Sequence, residues 1–304
     1  MIPHIHGLHH VTAFAGPAPE NDAFFTGTLG LRRVKTTVNF DNPYVYHLYF
    51  GDEKGTPGTV MTHFPDRKWK QGHRGTGEVA VTAFSVPRGS LDDWAARLKG
   101  ATRIEVFGEA QLRFPGPDGE TLALVECDDD REPWRALPKT MGIRGFHSVT
   151  LMIADPRPTL DVLTAMGYAE AGVEGTTTRL TMEAPVGIID VMAAPDVAKS
   201  VEGAGSVHHI AFATPNDETL LAVRDAVIDA GLKPTEVRDR NYFHSIYFRE
   251  PVGVLFEVAT LDIGFDADEP VETLGEALKL PAQHEPLRGE LVNTLEPIPN
   301  LTLE

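Results

Sequence analysis

The sequence predicts an α+β fold assembled from four copies of one strand–helix–three-strand (βαβββ) module, and three observations carry this. A strand-like segment recurs as GLHHVTAF (7–14), GEVAVTAF (77–84), GFHSVTLM (145–152) and SVHHIAFA (206–213), with starts about 60–70 residues apart. Each copy continues into a helical pattern that stops at a glycine. Each then ends on a Pro–Gly turn and an apolar strand: GTPGTVMTHF (55–64), GPDGETLALVE (116–126), APVGIIDVMA (184–193) and EPVGVLFEVA (250–259).

The elements justify themselves in chain order. The leading segments alternate β-branched and aromatic residues at period two, the strand signature. The first helix, PENDAFFTGTLGL, ends near Gly30. In the second, GSLDDWAARLKGA, Ser90 and Asp93 have capping-box spacing, Leu91, Trp94 and Leu98 form one stripe, and Gly100 closes it. The third, RPTLDVLTAMGY, ends at Gly167. The fourth, NDETLLAVRDAVIDAGL, puts Leu220, Val223 and Val227 on one face and ends at Gly231. Glycine at these ends supplies the left-handed closing residue. The modules run 7–65, 77–127, 144–195 and 205–261. The charged, Pro-containing stretch DDDREPWRALPKT (128–140) marks a division, with 131–141 as the linker between an N-terminal domain (1–130) and a C-terminal one (142–261). Residues 262–304 lie outside the repeats, and EPLRGELVNTL within them reads as a short amphipathic helix packing on the body.

Composition excludes several function classes. A net charge of −17 repels nucleic acid and anionic membranes, so neither is an expected partner. One cysteine, Cys127, rules out an intramolecular disulfide and a Cys-based zinc site. No basic-then-apolar leader opens the chain and no apolar run approaches ~18 residues, so a cytoplasmic protein is the expectation. A small-molecule substrate remains, with homo-oligomerisation open.

The repeats also expose a ligand set when laid against each other. At the second position of the histidine pair the copies carry His10, Ala80, Ser148 and His209; at the first, His9, Val79, His147 and His208. Four residues after the turn glycine they carry Thr62, Ala123, Val191 and Glu257, while Asp190 sits one place off this register and is expected to face the other way. Two imidazoles and one carboxylate at matching positions form a facial triad, which suits Fe(II) or Mn(II) and leaves open positions. A carboxylate inside VLFEVAT is costly unless paired or metal-bound. His147 reads as a hydrogen-bonded core residue, and His4 and His6 as surface. Strand parity sends the two histidines of a pair to opposite faces unless a bulge intervenes, so the pattern alone does not decide which one is the ligand.

The segments LHHVTAFAG, YVYHLYFGDEKGTPGTVMTHFP, RGFHS, VHHIAFA, DRNYFHSIYFREPVGVLFEVAT and DIGFDADE together resemble the vicinal oxygen chelate (glyoxalase/extradiol dioxygenase) superfamily. Within it they resemble the hydroquinone and chlorohydroquinone ring-cleaving 1,2-dioxygenases. The resemblance implies modules paired into two half-open barrels and dioxygen-dependent opening of a dihydroxybenzene ring at Fe(II). Mn(II) is an alternative, and other divalent ions are able to occupy such a site. It implies His10, His209 and Glu257 as metal ligands. His9, His208 and Thr12 match positions beside the metal or substrate, Arg240 and Tyr247 match an active-site arginine and tyrosine, and His244 has no assured counterpart. One rival on the same fold is a glyoxalase-like lyase, isomerase or thiol transferase, whose sites usually use four protein ligands. Another is a binding protein that sequesters an aromatic compound, for which no metal set is expected.

Overall fold

A computed structural model describes residues 1–303. Sixteen strands form two curled eight-stranded sheets. Module one supplies β1 (Leu8–Ala15), β2 (Arg32–Asn39), β3 (Asn42–Gly51) and β4 (Val60–Pro65). Module two supplies β5 (Glu78–Val86), β6 (Thr102–Val106), β7 (Glu109–Pro115) and β8 (Thr121–Glu126). Module three supplies β9 (Gly145–Ile153), β10 (Ala169–Glu174), β11 (Thr177–Thr181) and β12 (Ile188–Ala193). Module four supplies β13 (Val207–Thr214), β14 (Arg238–Asp239), β15 (His244–Arg249) and β16 (Leu255–Thr260).

The half-barrels are not made from consecutive modules. One sheet runs β14-β15-β16-β13-β1-β4-β3-β2, joining module four to module one; the other runs β10-β11-β12-β9-β5-β8-β7-β6, joining three to two. The expected division into residues 1–130 and 142–261 is therefore corrected. The 128–140 stretch connects two halves of one sheet, and the passages between sheets are residues 66–77 and 194–206. These passages bridge each other at Gln71–Ala204, His73–Val201 and Thr76–Lys199. Their backbones approach so closely that a Cβ on Gly75 would strike the Ala198 carbonyl, and one on Gly203 the Lys70 carbonyl. Four modules of one pattern can pair off in three ways. The crossed passages, pinned by Arg74 donating to the carbonyls of Gly205, Val79 and Ala80, select one.

The helices cover the outer sheet faces. The first is one α-turn, α1 (Ala18–Asp22), widened into a π-turn over Ala23–Thr28, which lets Phe25 stack on Phe50 at 5.2 Å. The others are α2 (Leu91–Arg97), α3 (Arg157–Ala165) and α4 (Asp217–Asp229). Asn216 and Thr219 form a capping box on α4. The capping box expected at α2 does not form. The Ser90 hydroxyl donates to the Pro87 carbonyl, and the Glu126 carboxylate on β8 accepts the Leu91 N–H instead. The tail carries α5 (Arg288–Thr294), whose Leu291 is fully buried. No helix among the described residues is long and apolar enough to cross a membrane.

The β7–β8 turn holds an unusual acid. Glu120 is buried beside Asp118, and burial pushes its carboxyl up from 4.5 to about 7. A folded-state pKa above the unfolded one means the folded chain binds the extra proton. Stability from Glu120 is then fully present below about pH 4.5 and is lost as pH rises to about 7, of order 3 kcal/mol across that window. Denaturation midpoints measured from pH 4.5 to 7.5 are expected to show this falling component, and Glu120→Gln to remove it.

Candidate metal centre

The first half-barrel is organised by a local two-fold relation. In the antiparallel β1/β13 pair, His10 lies opposite Ala211 and Thr12 opposite His209. In the flanking parallel pairs, Thr12 lies beside Thr62 and Ala211 beside Glu257. One strand further out, Tyr49 faces Thr62 and Tyr247 faces Glu257. The register skips His9 and His208, which sit in bulges. The bulges undo strand parity and bring both histidines of each pair to one place.

His10 Nε2, His209 Nε2 and Glu257 Oε2 converge. The separations are 3.3 Å between the imidazoles, 3.3 Å from His10 to Glu257 and 2.8 Å from His209 to Glu257. All three residues are buried, Glu257 completely. Behind them, His9 Nδ1 lies 2.9 Å from His10 Nδ1, and His208 Nδ1 lies 2.7 Å from His209 Nδ1. When His9 Nδ1 accepts from His10 Nδ1–H, the His10 Nε2 lone pair is left free. A partner that fixes the tautomer in this way is the usual support of a metal-binding imidazole. Burial pushes His9 and His208 down to about 3, so both are neutral. Burial alone would raise the Glu257 carboxyl; positive charge at the His10 and His209 positions holds it well below the ordinary carboxylate range, and a bound cation would supply that charge with the imidazoles neutral. Neither Glu257 oxygen has a hydrogen-bond donor of good geometry among the described residues. Two nitrogen lone pairs and an ionised, unpartnered oxygen aimed at one point fit a divalent cation.

The centre opens into a cavity of about 270 Å³. Its walls include Phe14, Phe64, Phe243, His208, Arg240 and Tyr247. Arg240 Nε donates to the Tyr247 hydroxyl at 3.1 Å, and its guanidinium lies over Phe40 and Tyr247. His9 does not line this cavity; it packs on Phe243, with ring centroids 5.2 Å apart. Thr12 is buried and joins Thr62 at 2.7 Å. His244 pairs with Asp217 away from the cavity, and His4 and His6 are exposed.

Two wall residues were not singled out from the sequence. His47 Nε2 lies 2.9 Å from Thr62 Oγ1, and its Nδ1 lies 2.8 Å from the Tyr49 hydroxyl. Their signal was available in YVYHLYFG, where both fall on one face of a strand at period two.

The second half-barrel corrects the internal alignment. By register, the counterpart of Glu257 is Asp190, opposite Thr150, and not Val191; the counterpart of His10 is Val81, opposite Thr150 across the other pair, and not Ala80. The turn before β12 is one residue shorter, which moves Asp190 onto the inner face. There Arg179 donates to the Asp190 carboxylate through Nε and Nη2, at 2.8 and 2.9 Å, and to Glu109 through Nη1 at 2.6 Å. His147 is buried and hydrogen-bonds Glu109 and Ser148. Arg179 thus supplies the charge that a metal would, and the second barrel holds an ion-pair network instead of a metal set.

Residues 7–258 match the sequence profile of the Glyoxalase/Bleomycin resistance protein/Dioxygenase superfamily. The chain belongs to this superfamily. Similar members span its whole length. The Bacillus subtilis (strain 168) protein named "Putative ring-cleaving dioxygenase MhqO" is 43% identical over 96% of both chains. The chlorohydroquinone/hydroquinone 1,2-dioxygenase of Sphingobium indicum is 36% identical over 96% of both. Among solved structures, a Bacillus subtilis protein described as a "putative dioxygenase" superposes with a TM-score of 0.94 at 41% identity, covering 98% of this chain and 99% of that one. Glyoxalase I from Zea mays shares the superfamily fold at 14% identity, with a TM-score of 0.62 over 84% and 92% of the two chains.

Proposed function

We propose that the protein is a non-haem Fe(II)-dependent dioxygenase that opens the ring of a dihydroxybenzene, most fittingly a hydroquinone. The observation that carries this is the buried His10–His209–Glu257 set at the end of an aromatic-walled cavity. Three protein ligands leave room for both a ring oxygen and dioxygen. The cavity supports a single ring, since about 150 Å³ of apolar space already holds benzene. The relatives named as ring-cleaving dioxygenases support the same reading. A glyoxalase-like activity is less well supported, because no fourth protein ligand joins the three among the described residues.

When bound, Fe(II) would supply Lewis acidity toward a ring hydroxyl and adjacent open positions for substrate and dioxygen. The chain's own residues bind, orient and manage protons. Phe14, Phe64 and Phe243 hold the ring and exclude water. The tautomer that frees His209 Nε2 places the His208 proton on its own Nε2, so His208 presents a hydrogen-bond donor to the cavity. Tyr247 receives the Arg240 N–H on its oxygen and keeps its own proton, because burial raises the phenol well above its ordinary value. Its hydroxyl would therefore donate to an oxygen of the bound ring. Arg240 holds Tyr247 in place and adds a cation to the wall.

The test is anaerobic reconstitution with Fe(II), addition of hydroquinone or its chloro- and methyl-substituted forms, and measurement of oxygen uptake. Rapid uptake is expected; iron binding without oxygen consumption for any 1,2- or 1,4-dihydroxybenzene would sink the reading. His9→Ala and His208→Ala are each expected to weaken metal affinity by about 10–100-fold, as loss of an imidazole's supporting partner does, in chelator competition.

A further inference from the structure

The two-fold relation that places the metal set leaves the opposite half of the same cavity to be accounted for. Glu257 corresponds to Thr62 and Tyr247 to Tyr49, so β4 and β3 carry a hydroxyl chain where β16 and β15 carry the carboxylate. The chain runs Tyr49 OH, His47, Thr62 and Thr12, with links of 2.8, 2.9 and 2.7 Å. All four residues are buried, and His47 and Tyr49 line the cavity. Burial keeps His47 neutral, so its ring carries one proton and accepts one. With the Tyr49 hydroxyl donating to His47 Nδ1, His47 Nε2–H donates to Thr62. The Tyr49 oxygen then retains an unused acceptor site. Phe265 at 5.0 Å backs the Tyr49 ring and holds it in place.

We propose that Tyr49, positioned by His47 and Thr62, is the specificity-determining acceptor for the substrate hydroxyl that does not reach the metal, and so selects 1,4-diols. This rests on the dihydroxybenzene reading. In a 1,4-diol the hydroxyls leave opposite edges of the ring, so one metal holds only one and the other arrives at the far wall. In a 1,2-diol both sit on the metal side and the far wall meets carbon. Of the other polar groups at the cavity, His208, Arg240 and Tyr247 belong to module four, the half that carries His209 and Glu257, and Asn39, Asp41 and Asn42 lie on the β2–β3 hairpin at the rim. There the Asp41 side chain is 79% exposed and paired with Arg240, so a hydroxyl bound to it gains little over water.

The experiment is anaerobic calorimetric titration of the Fe(II)-loaded protein with hydroquinone, catechol and phenol, the last lacking a second hydroxyl. Native protein is expected to prefer hydroquinone to phenol by up to about 10-fold, the net worth of one well-placed neutral hydrogen bond. Tyr49→Phe is expected to erase that preference by weakening hydroquinone alone, with phenol and catechol within about threefold of native. His47→Gln, which keeps a polar group at the position, is expected to fall between. Iron content and thermal midpoint are read in parallel, so that a misfolded variant is recognised, and the native hydroquinone-to-phenol ratio then stands as the deciding measurement. No native preference for hydroquinone, or a preference that survives Tyr49→Phe, overturns the proposal. Binding is measured without oxygen, so a protein that shows the preference yet consumes no oxygen would reject the dioxygenase reading and leave this subsite standing.

Discussion

Glu257→Ala is expected to abolish tight Fe(II) binding, with affinity falling by more than the roughly 100-fold that marks the upper end for a supporting residue. Glu257 is the only carboxylate in the convergent set, it is 0% exposed, and neither of its oxygens has another good partner among the described residues. Its removal leaves two neutral imidazoles, which hold a hard divalent cation poorly in a buried site. His10→Ala and His209→Ala should produce the same loss. Two measurements check this. Metal content after dialysis should fall from one equivalent toward none. The rise in thermal midpoint that Fe(II) gives the native protein, which follows from preferential binding to the folded state, should vanish. A Glu257→Ala chain that retains one equivalent of iron would remove Glu257 from the ligand set.

Glu269→Ala is expected to give a large loss of stability, about 3–5 kcal/mol. Lys35, on β2, is completely buried, and its ammonium is bonded to Asp268 and Glu269 of the tail, beneath the Tyr242 ring. Of the two acids, Glu269 is the buried one; the Asp268 side chain is 36% exposed. Without Glu269 the ammonium keeps one partly hydrated partner in an apolar surrounding, the arrangement in which breaking a buried pair costs most. Urea denaturation should show the midpoint falling with little change in slope. The double replacement Lys35→Met with Glu269→Leu should recover much of the loss, since it removes both buried charges. The same segment places Phe265 against Tyr49 and Tyr242, so the tail also braces the cavity wall.

Much of the molecule was legible because the chain repeats itself. The leading strands, the helix-closing glycines and the Pro–Gly turns each recur, and Gly30, Gly167 and Gly231 directly follow their helices with the positive φ that closing a helix favours; Gly100 also has positive φ, but α2 has already ended at Leu98, whose backbone is extended. The histidine pairs and Glu257 stood out because the other modules carry different residues there. What failed depended on a single residue of offset. The shorter turn before β12 moved Asp190 onto the inner face, and the bulge in β5 shifted the counterpart of His10 to Val81. Counting from a glycine detects neither, because a bulge or a shortened turn leaves the apolar pattern intact while changing which face a residue occupies. The expected cap at Ser90 failed because Glu126, distant in sequence, reaches the helix end first.

The sequence by itself determined the module, its four-fold repetition and the residue types able to hold a metal, since these follow from local periodicity and from comparing the chain with itself. Only the tertiary structure decided that module one pairs with four and module two with three, because all four modules carry the same edge pattern and the choice rests on how the two passages cross. It also decided which histidine of each pair points inward. That depends on bulges in the β1/β13 pair, which place His9 and His208 behind His10 and His209 as hydrogen-bonding partners. The far wall of the cavity, with His47 and Tyr49 linked through Thr62, arises only when β3 and β4 curl around beside β1.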